Sequence, residues 1–108
     1  MRRRPRNSSA IAPASLLLRP RARADREHAY AWWIANHGPL VPSRLEAELL
    51  VAFQLLGANP EIRYAGFWHG LPIRKLRLPC GFFVLYQVRP ILRQVVILRI
   101  LAGSRLHG

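Results

Sequence analysis

Arginine and lysine side chains dominate the chemistry that this sequence can perform. The candidate ligand-binding residues of its last third are Arg74, Lys75, Arg77, Arg99 and Arg105, and no carboxylate follows Glu61. Guanidinium and ammonium groups attract phosphates and carboxylates, so the pattern predicts an anionic partner. The alternative is a solvated basic face that only aids solubility, but soluble surfaces ordinarily mix both signs of charge.

No recognisable catalytic or metal-binding motif accompanies these cations. The sequence lacks a glycine-rich phosphate loop, a His-Glu-x-x-His helix and a Gly-x-Ser-x-Gly elbow. Its carboxylates all lie between Asp25 and Glu61, and its four histidines have no metal-ligand spacing. The single cysteine, Cys80, excludes an internal disulfide, and we interpret it as a filler in a turn. We therefore expect neither a metal nor a cofactor.

The chain is short and strongly basic. With 108 residues it has room for one domain, and 17 basic against 5 acidic residues give a formal charge of +12. We expect residues 1–14 to form a disordered basic tail and residues 15–108 to form the domain. No apolar run approaches the roughly 18–20 residues that span a bilayer, so we expect a cytoplasmic protein without a membrane partner.

Helical periodicity occupies the middle of the chain. Asp25 is a candidate N-cap for a first helix that ends at Gly38-Pro39. Ser43 and Glu46 have the spacing of a capping box at the start of a second helix. The apolar stripe of this helix comprises Leu45, Leu49, Ala52, Phe53 and Leu56. A short connection predicts that the two helices pack as an antiparallel hairpin.

The flanking segments have strand character. Leu16–Leu18 predicts an edge strand, and after Ile73 the apolar residues alternate with period two. Three sequential strands predict an antiparallel meander, so the fold is α+β in the order β-α-α-β-β-β. We expect the helical hairpin to cover one face of this sheet, burying Trp32, Trp33 and Phe53. We expect the opposite face to be one continuous cationic surface beside Phe83 and Leu85. Its cations would be several of Arg74, Lys75 and Arg77 from the first strand of the meander, Arg89 and Arg93 from the next connection, and Arg99 and Arg105 from the last strand and its exit.

Several local sequence phrases accompany this order of elements: Ala24-Asp25, Trp33-Ile34-Ala35, Leu55-Leu56-Gly57-Ala58-Asn59-Pro60, Ile73-Arg74-Lys75-Leu76, Phe83-Val84-Leu85-Tyr86-Gln87-Val88 and the segment from Val96 to Arg105. In the order and spacing of these phrases, the sequence resembles the ParE/RelE superfamily of bacterial type II toxins, and the ParE branch more. The resemblance implies a toxin that a small cognate antitoxin neutralises by wrapping a segment around it. We expect that antitoxin to be acidic.

The superfamily divides between two mechanisms. ParE-like members act on DNA gyrase, whereas RelE-like members cut mRNA in the ribosomal A site. Cutting RNA requires a base, an acid and cationic stabilisation of the phosphorane. Arg74, Arg77 and Arg105 would supply the cations, but only His107 and Tyr86 are available for proton transfer, and Tyr86 alternates onto the core face. The RelE-like ending with a terminal tyrosine or His-Tyr pair is absent.

We therefore favour a gyrase inhibitor. An mRNA endonuclease that uses His107, Arg105 and Arg77, with the ribosome and mRNA as partners, is the second hypothesis. An inactive toxin-fold binding protein is the third. A purely DNA-binding module is disfavoured because the basic residues lie on predicted strands and the second helix is acidic.

Overall fold

A computed structural model describes residues 13–40, 42–61 and 65–103. Its elements in these ranges are β1 (Ser15–Leu18), α1 (Pro20–His37), α2 (Arg44–Ala58), β2 (Ala65–Trp68), β3 (Leu71–Arg77), β4 (Phe82–Arg89) and β5 (Gln94–Ala102). The predicted α+β class and the order of the helices and later strands are confirmed. The predicted tail lies outside the described residues except for Pro13 and Ala14.

The strands form one sheet in the order β1-β5-β4-β3-β2. The strands from β2 to β5 pair antiparallel as consecutive neighbours, whereas β1 pairs parallel with β5 and lies at the edge. Strand β2 was not predicted, because its four residues, Ala-Gly-Phe-Trp, are too short to establish an alternating pattern. Strand β5 is central and covered on much of both faces, as its apolar run predicts.

Helix α1 begins earlier than predicted. Its first residue is Pro20, whose fixed φ suits the first turn, and the cap residue Arg19 makes no side-chain cap bond. The prediction that Asp25 caps this helix is therefore wrong, since Asp25 lies inside it. The predicted end is confirmed, because Gly38 adopts φ +93° and donates its N–H to the Ile34 carbonyl at 2.9 Å.

The predicted capping box of helix α2 is confirmed. The Glu46 N–H donates to Ser43 Oγ at 3.1 Å, and the Ser43 N–H donates to Glu46 Oε1 at 3.2 Å. These two bonds satisfy backbone donors that would otherwise lack partners at the helix start. Leu45, Leu49 and Leu56 are buried as their spacing predicts.

The main core lies between the two helices and one face of the sheet. The core residues of the strands and of the β3–β4 turn are Leu76, Leu78, Phe82, Val84, Tyr86, Val95, Ile97 and Ile100. Trp33 and Phe53 pack against this core as predicted, but the prediction for Trp32 is wrong because its side chain is 51% exposed. Consecutive helix residues point about 100° apart, so Trp33 enters the core while Trp32 lies at its margin, edge-on to Phe82 with 6.3 Å between ring centres.

One carboxylate joins helix α1 to the sheet. Strand β1 ends at Leu18, opposite Ile97, so the outer edge of β5 has no strand partner beyond that point. There the Ile100 N–H donates to Asp25 Oδ2 at 2.9 Å. The Arg99 guanidinium donates to both oxygens of the same carboxylate, at 2.7 and 3.1 Å. Asp25 thus accepts a backbone hydrogen bond that a neighbouring strand would otherwise accept, and it neutralises the charge of a partly buried arginine.

A second carboxylate joins helix α2 to the turn between β3 and β4. Glu48 accepts the Cys80 N–H at 2.9 Å and the Arg44 Nε–H at 2.7 Å. Burial alone would raise the pKa of Glu48, but its hydrogen bonds with Arg44 and Cys80 outweigh burial and lower that pKa below its ordinary value.

We predict that Asp25→Ala lowers the free energy of unfolding by about 3 kcal/mol, because it leaves the Arg99 charge and the Ile100 N–H without their acceptor. Urea unfolding followed by circular dichroism measures the change. Glu27→Ala, an exposed position on the same helix, serves as the control and should stay within about 0.5 kcal/mol of the parent. A loss below about 1 kcal/mol for Asp25→Ala would contradict the assigned role.

We predict that Glu48→Gln destabilises the fold by about 1 kcal/mol at pH 7 and progressively less in acid. Because folding lowers the Glu48 pKa, the carboxylate stabilises the native state above its unfolded pKa of about 4.3. This stabilisation disappears as the pH falls through the lower folded value. Urea unfolding of parent and variant at several pH values between 7 and 2.5 checks the trend, and a difference that stays constant would contradict it.

Candidate binding surfaces

Strand β3 divides the predicted cationic residues between the two faces of the sheet. In its register with β4, Arg74 lies opposite Tyr86, a residue of the core beneath the helices. Lys75 lies opposite Leu85, and Arg77 lies opposite Phe83. Side chains alternate along a strand, so Lys75 and Arg77 project from the face away from the helices, whereas Arg74 does not.

Lys75, Arg77 and Phe83 form what we call the open-face patch. The Lys75 ammonium group lies 5.4 Å from the centre of the Phe83 ring, within the range of a cation–π interaction. Beneath the patch, Leu85 packs with Ile73 and Leu101 in a small second core. The predicted combination of cations with Phe83 and Leu85 on this face is therefore present, although with two of the cations only.

Arg99 has a different environment from the open-face patch. Its guanidinium forms the bidentate pair with Asp25, and hydrogen bonding to this carboxylate raises the pKa of Arg99 above its ordinary value. The side chain is largely buried at this contact. An external ligand would have to displace Asp25, so the geometry assigns Arg99 to the attachment of α1.

Arg74 belongs to a third location, at the end of the sheet where α2 finishes. Its guanidinium donates to the Glu61 carbonyl at 3.4 Å, and it lines a cleft of about 410 Å³ with Gln87 and Arg89. The expectation of one continuous cationic face is consequently wrong. Side chains alternate along β3, so Arg74 lies on the other face from Lys75 and Arg77. Arg99 is separated from them because it pairs with Asp25.

A larger cleft of about 610 Å³ adjoins the first one. It lies between the end of α2 and the turn that joins β4 to β5, and Arg93 and Pro90 are among its lining residues. Both clefts share Glu61, Val88 and Arg89. Sequence reasoning counted Arg89 and Arg93 among the cations of one face but did not assign them to this cleft. The signal that could have identified them is the segment Arg89-Pro90-Ile91-Leu92-Arg93, where apolar residues interrupt a basic turn.

The groups that could transfer protons are dispersed or already engaged. Tyr86 is fully buried, as the strand alternation predicts, and the His37 ring stacks on Trp33 with 4.1 Å between ring centres. Asp25, Glu46 and Glu48 all make the structural hydrogen bonds described above. Within the described ranges, no three His, Cys, Asp or Glu side chains come together as metal ligands would. None of the helices in these ranges is long and apolar enough to cross a membrane.

Cys80 has the properties of an unreactive thiol. Burial raises the pKa of its thiol, and the hydrogen bond and negative charge of Glu48 raise it further. A raised pKa reduces the thiolate fraction, and the thiolate is the nucleophilic form. This agrees with the interpretation of Cys80 as a filler. The remaining candidates, Arg105 and His107, lie outside the described residues.

Comparison with known proteins gives a family match over most of the chain. Residues 16–107 match the family described as the ParE toxin of the type II toxin-antitoxin system parDE. A search of curated protein sequences gives no significant match.

Solved structures show the same fold. A chain of the chromosomal ParDE toxin–antitoxin system from P. aeruginosa is 23% identical, with a TM-score of 0.65, and the alignment covers 82% of this chain and 95% of that one. A chain of the toxin–antitoxin complex RelBE2 from Mycobacterium tuberculosis is 21% identical, with a TM-score of 0.62 and coverage of 85% and 93%. Because the family match spans nearly the whole domain, this protein belongs to the ParE toxin family of type II toxin–antitoxin systems.

Proposed function

We propose that this toxin inhibits DNA gyrase by stabilising cleaved DNA, that it acts in the cytoplasm, and that a small acidic antitoxin neutralises it. Membership of the ParE family supports the gyrase assignment, since the ParE branch is the one that the sequence resembles more. The strong positive charge of the chain supports an acidic antitoxin through charge complementarity.

The burial of Tyr86 is the observation that favours gyrase over RNA as the target. Cleavage by the 2′-hydroxyl needs one group to remove a proton and another to deliver one, each within hydrogen-bonding distance of the substrate. Tyr86 and His107 were the two candidates. A fully buried Tyr86, packed in the core beneath the helices, cannot reach an RNA strand without unfolding of the sheet.

Three of the five carboxylates cannot compensate for this loss, because they are committed to structural contacts. Asp25 holds Arg99 and the Ile100 N–H, Glu46 closes the capping box, and Glu48 holds Arg44 and Cys80. A residue whose oxygens already accept structural hydrogen bonds is a poor general base, because protonating it breaks those bonds. A gyrase inhibitor needs no such group, since it acts by binding.

A RelE-like ribonuclease is the second candidate. The fold similarity to a chain of the RelBE2 complex favours it, together with the open-face patch, whose cations would suit a phosphate backbone. This alternative places the proton transfers on His107.

The first test adds the purified toxin to gyrase and supercoiled plasmid. We expect linear, cleaved DNA trapped on the enzyme, because the proposed action stabilises the cleaved state. In cells, induction should cause filamentation while bulk translation initially continues.

Ribosomes programmed with a defined mRNA serve as the parallel assay. Rapid mRNA cleavage that His107→Ala abolishes, with gyrase unaffected, would replace the proposal with the ribonuclease. Activity in neither assay, with antitoxin binding retained, would identify an inactive toxin-fold binding protein.

We predict that the double variant Lys75→Gln/Arg77→Gln weakens gyrase inhibition about tenfold at 0.1 M salt. Each charge at the protein surface contributes up to about 1 kcal/mol, so two together account for roughly this factor. Dose–response curves for trapped cleavage measure it.

Arg21→Gln/Arg23→Gln is the matched control, because both positions are exposed on α1 and the change in net charge is identical. Equal loss of potency in both double variants would mean that total charge matters rather than the open-face patch. Thermal melts confirm that the variants remain folded.

A further inference from the structure

Helix α2 is apolar on the side that faces water as well as on the side that packs in the main core. We call its exposed row the outer stripe, which comprises Ala47, Leu50, Val51, Gln54 and Ala58. Leu50 is 60% exposed and Val51 is 62% exposed. At about 100° per residue, the outer stripe is centred roughly 180° from the buried face. A helix that is apolar all round is ordinarily covered on both sides, so the outer stripe suits a surface that a partner covers.

The outer stripe carries no charge. The charged groups of α2 lie beside its first two turns, where Arg44 pairs with Glu48 at 2.7 Å and Glu46 closes the capping box. From Leu49 to Pro60 the chain has no ionisable side chain, and the basic residues other than Arg44 lie outside 43–61. Although the chain has a formal charge of +12, another cationic molecule can therefore approach this surface without meeting an unpaired like charge.

The chemistry of the outer stripe does not suit an anionic partner. Acidic peptides and DNA are attracted by guanidinium groups, and the only one on α2 belongs to Arg44, which Glu48 neutralises. Helices that lie on anionic membranes carry lysine and arginine on their polar side, whereas the polar flanks of α2 carry Glu46 and Glu48. The matching partner is therefore an uncharged helical face.

A second copy of α2 supplies such a face. Small residues, Ala47 and Ala58, stand at the two ends of the outer stripe, with larger side chains between them. When two copies pack antiparallel about a twofold axis beside the middle of α2, Ala47 of one copy lies near Ala58 of the other, and Val51 lies near Gln54. The two Gln54 side chains are then about 4.5 Å apart along the helix axis, and each amide can both donate and accept a hydrogen bond.

We propose that the toxin forms a twofold-symmetric homodimer through the outer stripe of α2. Helix α2 has 15 residues and a length of about 22 Å. One pair of helices of this length buries less than the roughly 800 Å² per partner that is typical of stable complexes. We therefore expect a weak dimer that forms at micromolar concentrations.

The dimer presents two open-face patches at once. The outer stripe points away from the sheet on the helical side, whereas Lys75, Arg77 and Phe83 lie on the other face. Contact between the two α2 helices consequently covers neither patch. Two linked patches bind a target that has two sites more tightly than one patch does, because the second contact is intramolecular.

Sedimentation equilibrium of the purified toxin at increasing micromolar concentrations tests the proposal. We expect the average mass to rise from the monomer value of 12.4 kDa toward twice that value. Val51→Glu should weaken association at least tenfold, because it places a carboxylate in an apolar contact. Ala31→Glu is the matched control: it adds the same charge at an exposed position of α1 and should change association less than twofold.

Salt dependence distinguishes this dimer from an association that ion pairs hold together. Raising the salt from about 0.1 M to about 1 M should strengthen the dimer, since salt screens the repulsion between two cationic chains and no ion pair joins the two stripes. Weaker association at high salt would overturn the assignment of the uncharged stripe.

A parent toxin that stays monomeric throughout the concentration range would also overturn the proposal, and so would a dimer that Val51→Glu leaves intact. Loss of antitoxin binding in Val51→Glu, with a monomeric parent, would assign the outer stripe to the antitoxin instead. The masses are measured without gyrase, so failure of this proposal is distinct from failure of the proposed function.

Discussion

The attachment of α1 to the sheet depends on one carboxylate. Strand β1 covers only the first half of the outer edge of β5, and Asp25 satisfies the Ile100 N–H beyond it while pairing with Arg99. Peptide groups at an unpaired edge need partners, and a largely buried guanidinium needs a counter-charge; one side chain meets both requirements. Together with the apolar core, this attachment holds α1 against one face of the sheet. The other face and the end with the β4–β5 turn remain available for binding.

Five cations of the described residues lie on two separate regions of the surface. Lys75 and Arg77 surround Phe83 on the open face, whereas Arg74, Arg89 and Arg93 line the clefts at the end of the sheet. Because the two regions lie on different parts of the molecule, charge-removing variants can test each region separately.

The same packing commits several side chains that could transfer protons to structural contacts. Tyr86 completes the core beneath the helices, and Asp25, Glu46 and Glu48 hold elements together. The chain has five carboxylates, so only two others are left for other roles. Tyr86 and the three engaged carboxylates stabilise the domain. The functional groups that the described surface offers to a ligand are therefore mainly the guanidinium groups of its arginines.

Local patterns were sufficient for most of the fold. The Ser43–Glu46 spacing, Gly38, and the alternation that buries Tyr86 depend on neighbours a few residues apart, so the sequence alone determined the capping box, the helix end and the core strands. It also determined that cations would stand beside Phe83 on one face.

Tertiary structure decided the rest. Asp25 satisfied the local rule for a helix cap, but Arg99 and Ile100, more than seventy residues later, made it an internal ion-pair partner. Trp32 has the same residue type as its neighbour Trp33, but the packing of α1 buries Trp33 and leaves Trp32 half-exposed at the margin of the core. Arg89 and Arg93 became cleft residues only when the β4–β5 turn came beside the end of α2. Contacts between distant segments leave no periodic trace in a sequence, and they determined which arginines line the clefts and which one pairs with Asp25.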